Sequence, residues 1–164
     1  MGARHLRTDR LTLVLAPLEE ARAEVASMSA TDRAQLSPVW LERLRCATTD
    51  DPWVVGFNVV HTATGTTVGS CGFKGPPDDH GAVEIAYGIG LDHQNQGFAT
   101  EAAASLVDFA FACSDVRVVR AHTLEAGNAS ARVLAKCGFS LAGQVVDQED
   151  GLVWRWERQR SEAC

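Results

Sequence analysis

The segment Leu91-Asp92-His93-Gln94-Asn95-Gln96-Gly97-Phe98-Ala99-Thr100 leaves a β-like run, crosses polar residues and enters a helix-like run at Gly97. The first N–H groups of a helix have no internal partners and carry the positive end of its dipole. Gly97 and Ala99 are small enough for close approach and Thr100 adds a hydroxyl, so this turn suits a phosphate or pyrophosphate. A plain strand-to-helix turn uses glycine in the same way, and spacing alone leaves both readings open. Two other phosphate loops are excluded. Gly88-Ile89-Gly90 begins like a dinucleotide fingerprint, but His93 stands in the third glycine's place, and no G-x-x-x-x-G-K-[ST] occurs.

A carboxylate lies just upstream. Strand alternation through 82–89 puts Glu84 on one face with Ala82, Ala86 and Gly88, and Val83, Ile85, Tyr87 and Ile89 on the other. A carboxylate in a small-walled hollow leaves room for a substrate. Partial burial predicts a pKa raised toward the range of a general base. The alternative is a carboxylate paired with a cation or solvated at the sheet margin. His122 is a base or substrate-binding candidate that reads equally as a hydrogen-bonded structural histidine. His80, with Asp78 and Asp79, sits in a Pro-rich loop that is either a specificity loop or a solvated acidic surface.

These groups need a scaffold. A strand over about 9–16 leads into a helix opened by Pro17 and Glu19-Glu20 and closed over 27–30. Thr31-Asp32 predicts the cap of a second helix, interrupted at Pro38 and resuming to about Cys46. Runs 53–61 and 66–73 form a hairpin about Thr62-Ala63-Thr64-Gly65, and 75–81 is a surface loop. Then follow a strand 82–90, a helix 98–113, a strand 116–124, a helix 130–137, and strands 139–146 and 152–157. Early hairpin strands followed by strand–helix units predict an α/β (α+β) domain, one unit over 1–164, with helices packed on a mixed sheet.

Composition narrows the function. The chain has 164 residues, 46% hydrophobic and 22% charged, with a net charge of −6. Lys and Arg are not gathered into runs, which argues against a nucleic-acid binder and suits a cationic or neutral ligand. Cys46, Cys71, Cys113, Cys137 and Cys164 form no C-x-x-C pair, so they read as reduced, mostly apolar side chains, and no metal site is expected. Arg4, Arg7 and Arg10 before the run 11–18 imitate an export signal, but Thr12, Pro17 and Glu19-Glu20 interrupt it. Leu6 occupies the position where myristoylation after Met1-Gly2 needs Ser or Thr. No run approaches a membrane span, and the protein is predicted to be cytoplasmic.

Gln94-x-x-Gly97-x-Ala99, followed by Thr100-Glu101-Ala102, resembles the acyl-CoA pyrophosphate loop of the GCN5-related N-acetyltransferase (GNAT) family. Thr8-Asp9-Arg10-Leu11-Thr12-Leu13 and Asn128-Ala129-Ser130-Ala131-Arg132-Val133-Leu134 with Gly138-Phe139 resemble its RimL-like branch, which includes acetyltransferases of ribosomal-protein N-termini. The resemblance implies a mostly antiparallel sheet splayed between the strands at 82–90 and 116–124, with acetyl-CoA as co-substrate in the splay. It places Gln94, Gln96, Gly97, Phe98, Ala99 and Thr100 at the pyrophosphate, the edge near Ile89 and Leu91 at the pantetheine, and Asn128 on the pantetheine arm. A backbone N–H near Ile89 or Leu91 would serve the oxyanion, and Glu84 would be the base.

One departure matters. Many members protonate the leaving thiolate with a Tyr four residues before Gly-Phe, where this chain has Leu134. Ser130 is the replacement that the RimL-like branch implies, although Ser near a helix start is also a common N-cap. The spacing here is Asn-x-Ser rather than the branch's commoner Asn-x-x-Ser, and Asn128 also reads as a turn cap. Cys137 could approach the thioester, but direct amine attack needs no acyl-enzyme, which favours packing. The expected reaction is acetyl transfer to a primary amine, a protein N-terminus or a small molecule; the alternative is an acyl-CoA sensor without turnover. Monomer and homodimer both stay open, with Trp40, Trp53, Trp154 and Trp156 serving a core or a dimer face.

Overall fold

Alternate leucines set the first long strand: Leu11 and Leu13 are fully buried in β2 (Leu11–Leu15). The computed structural model describes residues 5–124, 128–147 and 151–161, so Met1-Gly2 and Cys164 lie outside it. A short strand, β1 (His5–Arg7), pairs with β2; it was not expected, being too brief and polar to show alternation. Helices α1 (Leu18–Ser27), α2 (Ala30–Arg33) and α3 (Pro38–Cys46) follow. Ser29, not Thr31-Asp32, caps α2 by accepting from the Asp32 N–H. Pro38 begins α3 behind the Ser37 cap instead of interrupting a helix, since proline's missing N–H costs nothing in a first turn.

The hairpin strands are β3 (Phe57–His61) and β4 (Thr66–Phe73). Trp53 falls outside β3. Its N–H donates to Asp51 Oδ1 at 2.9 Å, and the Val54 and Val55 amides turn back onto the Asp51 carbonyl. Next come β5 (Ala82–Ile89), a 3-10 turn at Leu91–His93, α4 (Phe98–Ala112), β6 (Val118–Thr123), α5 (Ala129–Lys136), β7 (Ser140–Asp147) and β8 (Gly151–Gln159). Helix α5 starts one residue earlier than expected because Asn128, not Ser130, is its cap.

The strands form one sheet in the order β1-β2-β3-β4-β5-β6-β8-β7. Neighbours are antiparallel except β5 and β6, which run parallel and pair only at Ala82↔Val118, Val83↔Val119 and Glu84↔Arg120. Beyond Glu84 the two strands separate, and this is the expected splay. Phe57, Val59, Phe73, Val83 and Ile85 pack against Phe98, Ala102, Leu106 and Val107 of α4 in the main core. On the opposite face, Leu18, Ala21 and Leu44 of α1 and α3 close with Val54 and Val55 over a second cluster that Trp40 and Trp53 join. Trp156 is buried in the main core. Among the described residues no helix is long and apolar enough to cross a membrane.

Candidate functional site

The start of α4 has the geometry of an anion site. Gly97 takes φ +83°, a left-handed conformation that an L side chain resists, and supplies no side-chain cap. The first internal bond runs from the Glu101 N–H to the Gly97 carbonyl, which leaves the amides of Phe98, Ala99 and Thr100 ahead of the helical ladder. The Phe98 side chain is buried in the core, so only its backbone can meet a ligand. Gln96 is exposed, and the Gln94 side chain donates to the Ile89 carbonyl at 2.9 Å, tying the loop to the end of β5.

A second layer holds this turn from behind, and sequence reasoning did not find it. Arg10 donates through Nε to Glu101 Oε1 (3.0 Å) and through a terminal nitrogen to the Gln96 carbonyl (2.8 Å). Its guanidinium stands 4.6 Å from the Phe98 ring centre, and Thr8 donates its hydroxyl to the same Glu101 carboxylate. Burial pushes the Glu101 carboxyl up, but the bonds from Thr8 and Arg10 outweigh it and hold the group below its ordinary range. Thr8 and Arg10 belong to the N-terminal Thr8–Leu13 motif; their partner does not show in sequence because it lies 91 residues from Arg10.

The β5 edge follows from the register. Glu84 and Gly90 bond β4 through Lys74 N–H to Glu84 C=O and Gly90 N–H to Val68 C=O. An antiparallel ladder alternates direction along a strand, so the backbone groups of Ile85, Tyr87 and Ile89 point the other way, into the splay. Leu91 lies beyond the strand in the 3-10 turn, 87% exposed.

On the other face, Asn58, Ser70, Gly72, Ala86 and Gly88 help line a cavity of about 540 Å³, walled by Glu20, Glu24, Met28 and Trp40. Glu84 shares that sheet face and stands at its margin. Its Oε2 contacts Lys74 Nζ at 2.9 Å and His122 Nδ1 at 3.2 Å. Arg155 Nε donates to His122 Nε2 at 3.1 Å, and Nδ1 stands beside Glu84 off the line of a good hydrogen bond. Arg120 pairs with Glu157 at 2.6 Å alongside. These partners correct one expectation. Burial alone would raise the Glu84 carboxyl, yet His122 and Lys74 together bring it below its ordinary value. Glu84 is therefore paired, and it is ionised at neutral pH.

Asn128 Oδ1 accepts the Ala131 N–H at 2.9 Å, so its carbonyl end is engaged in capping α5. Ser130 is thereby relieved of the capping role that its position suggested. Its Oγ lies 3.0 Å from the Tyr87 hydroxyl, which also donates to the Ser130 carbonyl at 3.3 Å. Leu134 is fully buried in the core. Cys137 is buried and donates to the Thr100 carbonyl at 3.5 Å; burial pushes its thiol up, as it pushes Cys71 to about 12. Both thiols are packing groups at neutral pH.

The loop 75–81 turns away from the cavity. Asp78 Oδ1 accepts the His80 and Ala82 amides, at 2.8 and 3.0 Å. Pro76, Pro77, Asp78 and Asp79 line a separate depression with Asp115 and Arg117. Lys74, just before this loop, lines the cavity, and none of residues 75–81 does. Among the described residues no group of His, Cys, Asp and Glu is gathered to hold a metal ion.

The family model for an acetyltransferase (GNAT) domain matches residues 6–140. An uncharacterised N-acetyltransferase, p20, from Bacillus licheniformis is 29% identical over 93 residues, 57% of this chain and 52% of its own. The chain thus spans about half the length of this curated relative. A Vibrio cholerae structure assigned as a ribosomal-protein-serine acetyltransferase superposes with TM-score 0.68 at 19% identity, covering 98% of this chain and 100% of its own. A spermidine N-acetyltransferase from Vibrio cholerae, solved with CoA and spermine, gives 0.66 at 16% identity, covering 93% and 96%. At these identities the two structures speak to the fold.

Proposed function

Because the chain belongs to the acetyltransferase (GNAT) domain family, matched over residues 6–140, we propose that it transfers an acetyl group from acetyl-CoA to a primary amine by direct attack. The observation that carries this reading is the amide-lined start of α4 behind Gly97, set beside the stretch of β5 that β6 does not pair. Acetyl-CoA supplies the activated acetyl group. The amides of Phe98, Ala99 and Thr100 suit its pyrophosphate, with Gln96 at the loop's rim. The splay-facing backbone of Tyr87 suits the pantetheine; Gln94 holds the Ile89 carbonyl, and the Ile89 N–H is the oxyanion donor in this scheme. Leu91 continues that edge, and the amide end of Asn128, not used by its cap, serves the pantetheine from α5.

The amine approaches through the cavity on the opposite face. Glu84 takes its proton, directly or through a water, while Lys74 beside it favours the neutral amine. Ser130 donates to the leaving sulfur in place of the tyrosine missing at Leu134. Glu20 and Glu24 on one wall favour a cationic acceptor, in keeping with the net charge of −6. The N-terminal motif at Thr8 to Leu13 and the Asn128–Ser130 segment support a RimL-like acceptor, a protein N-terminus; small amines such as polyamines fit the same acidic wall.

A panel of N-terminal Ser and Ala peptides, spermidine and amino sugars, read by CoA thiol release, tests the reading. At least one acceptor should multiply release above the rate with water. The sensor reading, favoured by Leu134, expects tight acetyl-CoA binding and no acceptor-dependent release. Arg10→Ala should weaken acetyl-CoA binding about five- to tenfold by calorimetry, because it leaves the Glu101 carboxylate uncompensated beside the anion site. Unchanged affinity would show that the clamp does not shape the loop.

A further inference from the structure

Tyr87 is the chain's only tyrosine, and nothing in the acceptor or pyrophosphate chemistry above uses its hydroxyl. It projects from the splayed part of β5, past the last residue paired with β6, and bridges the splay to the first turn of α5. Its hydroxyl meets both oxygens of one residue, Ser130 Oγ at 3.0 Å and the Ser130 carbonyl at 3.3 Å. A carbonyl only accepts, so the phenolic hydrogen is directed at Ser130. At Oγ either hydroxyl can be the donor; when the phenol shares its hydrogen between the two oxygens, the Ser130 hydroxyl keeps its own hydrogen free. Asn128 already accepts the Ala131 N–H, so the Ser130 oxygen is not taken up as the acceptor for that amide.

From this geometry we infer that Tyr87 is a positioning residue that orients Ser130 as a hydrogen-bond donor to the sulfur of the departing coenzyme. The inference rests on the acetyl-CoA reading above and extends it. As the C–S bond breaks, its electron pair stays on sulfur. The Ser130 O–H donates to that thiolate, and the hydrogen bond from Tyr87 to Ser130 Oγ strengthens the donation by polarising it. The thiolate takes its proton from solvent on release, so neither Ser130 nor Tyr87 changes protonation state. Burial pushes the phenol up and keeps it protonated, while Cys137, facing it from the end of α5, is itself held as a thiol by burial. The arrangement occupies the role left open at Leu134 with two residues on two elements.

The test needs no acceptor. Free CoA is bound to the wild type, Tyr87→Phe, Ser130→Ala and the double variant, and its thiol is titrated by ultraviolet thiolate absorbance. The wild type should hold the bound thiol lower than Tyr87→Phe and Ser130→Ala do, by roughly 0.5 to 1 pH unit, the range of one net hydrogen bond. The double variant should match Ser130→Ala, because Tyr87 acts through Ser130. Tyr87→Phe keeps the ring, and Ser130→Ala probes the same bond from the other side should one variant fail to fold. An unshifted thiol in Tyr87→Phe beside a shifted one in Ser130→Ala overturns the role of Tyr87 alone. Additive shifts in the double variant overturn action through Ser130, and unshifted thiols in both overturn the pair. Absence of CoA binding by the wild type overturns the acetyl-CoA reading itself.

Discussion

Replacing Gly97 with glutamate should weaken acetyl-CoA binding by about a hundredfold, from three causes acting together. At φ +83° any L residue meets its own backbone, a cost of about 1–2 kcal/mol that shifts the turn. A Cβ there would stand 3.1 Å from an Arg10 terminal nitrogen, so the new carboxylate draws Arg10 away from Glu101 and the Gln96 carbonyl. It also puts a negative charge at the amides that would receive a diphosphate. Calorimetry with acetyl-CoA reads the loss. Gly97→Ala separates the causes, since it carries the strain without the charge and should lose only about tenfold. Affinity intact in Gly97→Glu would place the diphosphate elsewhere and remove the main support for the transferase reading.

What was legible in the sequence was whatever depends on near neighbours. The alternation of Leu11 and Leu13, the opposed faces of β5 and the glycine before α4 are local patterns, and each reappears in the structure. The splay itself became legible through the family resemblance, since no local pattern reports where two strands stop pairing. Pairings between distant elements were not legible. Arg10 reaches Glu101 across 91 residues, and Tyr87 reaches Ser130 across 43. Glu84 shows the limit most clearly. Alternation assigned its face, but its charge environment depends on Lys74 from β4's end, His122 from β6 and Arg155 from β8, so the inferred direction of its pKa was reversed. Helix starts were blurred for a related reason. Ser29, Ser37 and Asn128 all cap, and within a run of small polar residues only backbone geometry selects which one accepts.

Glu84→Gln should lower kcat at neutral pH by about a hundredfold or more while leaving acetyl-CoA affinity within about twofold, the usual span for removing a general base. The separation follows from the sheet: Glu84 faces the cavity side, whereas α4 and its loop pack on the other face. Burial opposes ionisation of Glu84, but His122 and Lys74 overcome it, so the carboxylate is already the acceptor form through the neutral range. A carboxylate held low is a weak base toward an ammonium. The rise of rate with pH in the wild type should therefore follow the acceptor amine, and a variant lacking the carboxylate should keep that rise at a lower level. Stability carries an independent signature. A carboxyl whose folded pKa is depressed contributes stability above its unfolded value, about 4.3 for Glu, and loses it as pH falls through the folded pKa. Wild-type Tm should accordingly fall further than that of Glu84→Gln when pH is lowered from 6 through the acidic carboxylate range, with the two curves converging at the acid end. If the Tm curves behave so and kcat is unchanged, Glu84 is a structural partner of Lys74 and His122, and deprotonation belongs to water or to the substrate itself.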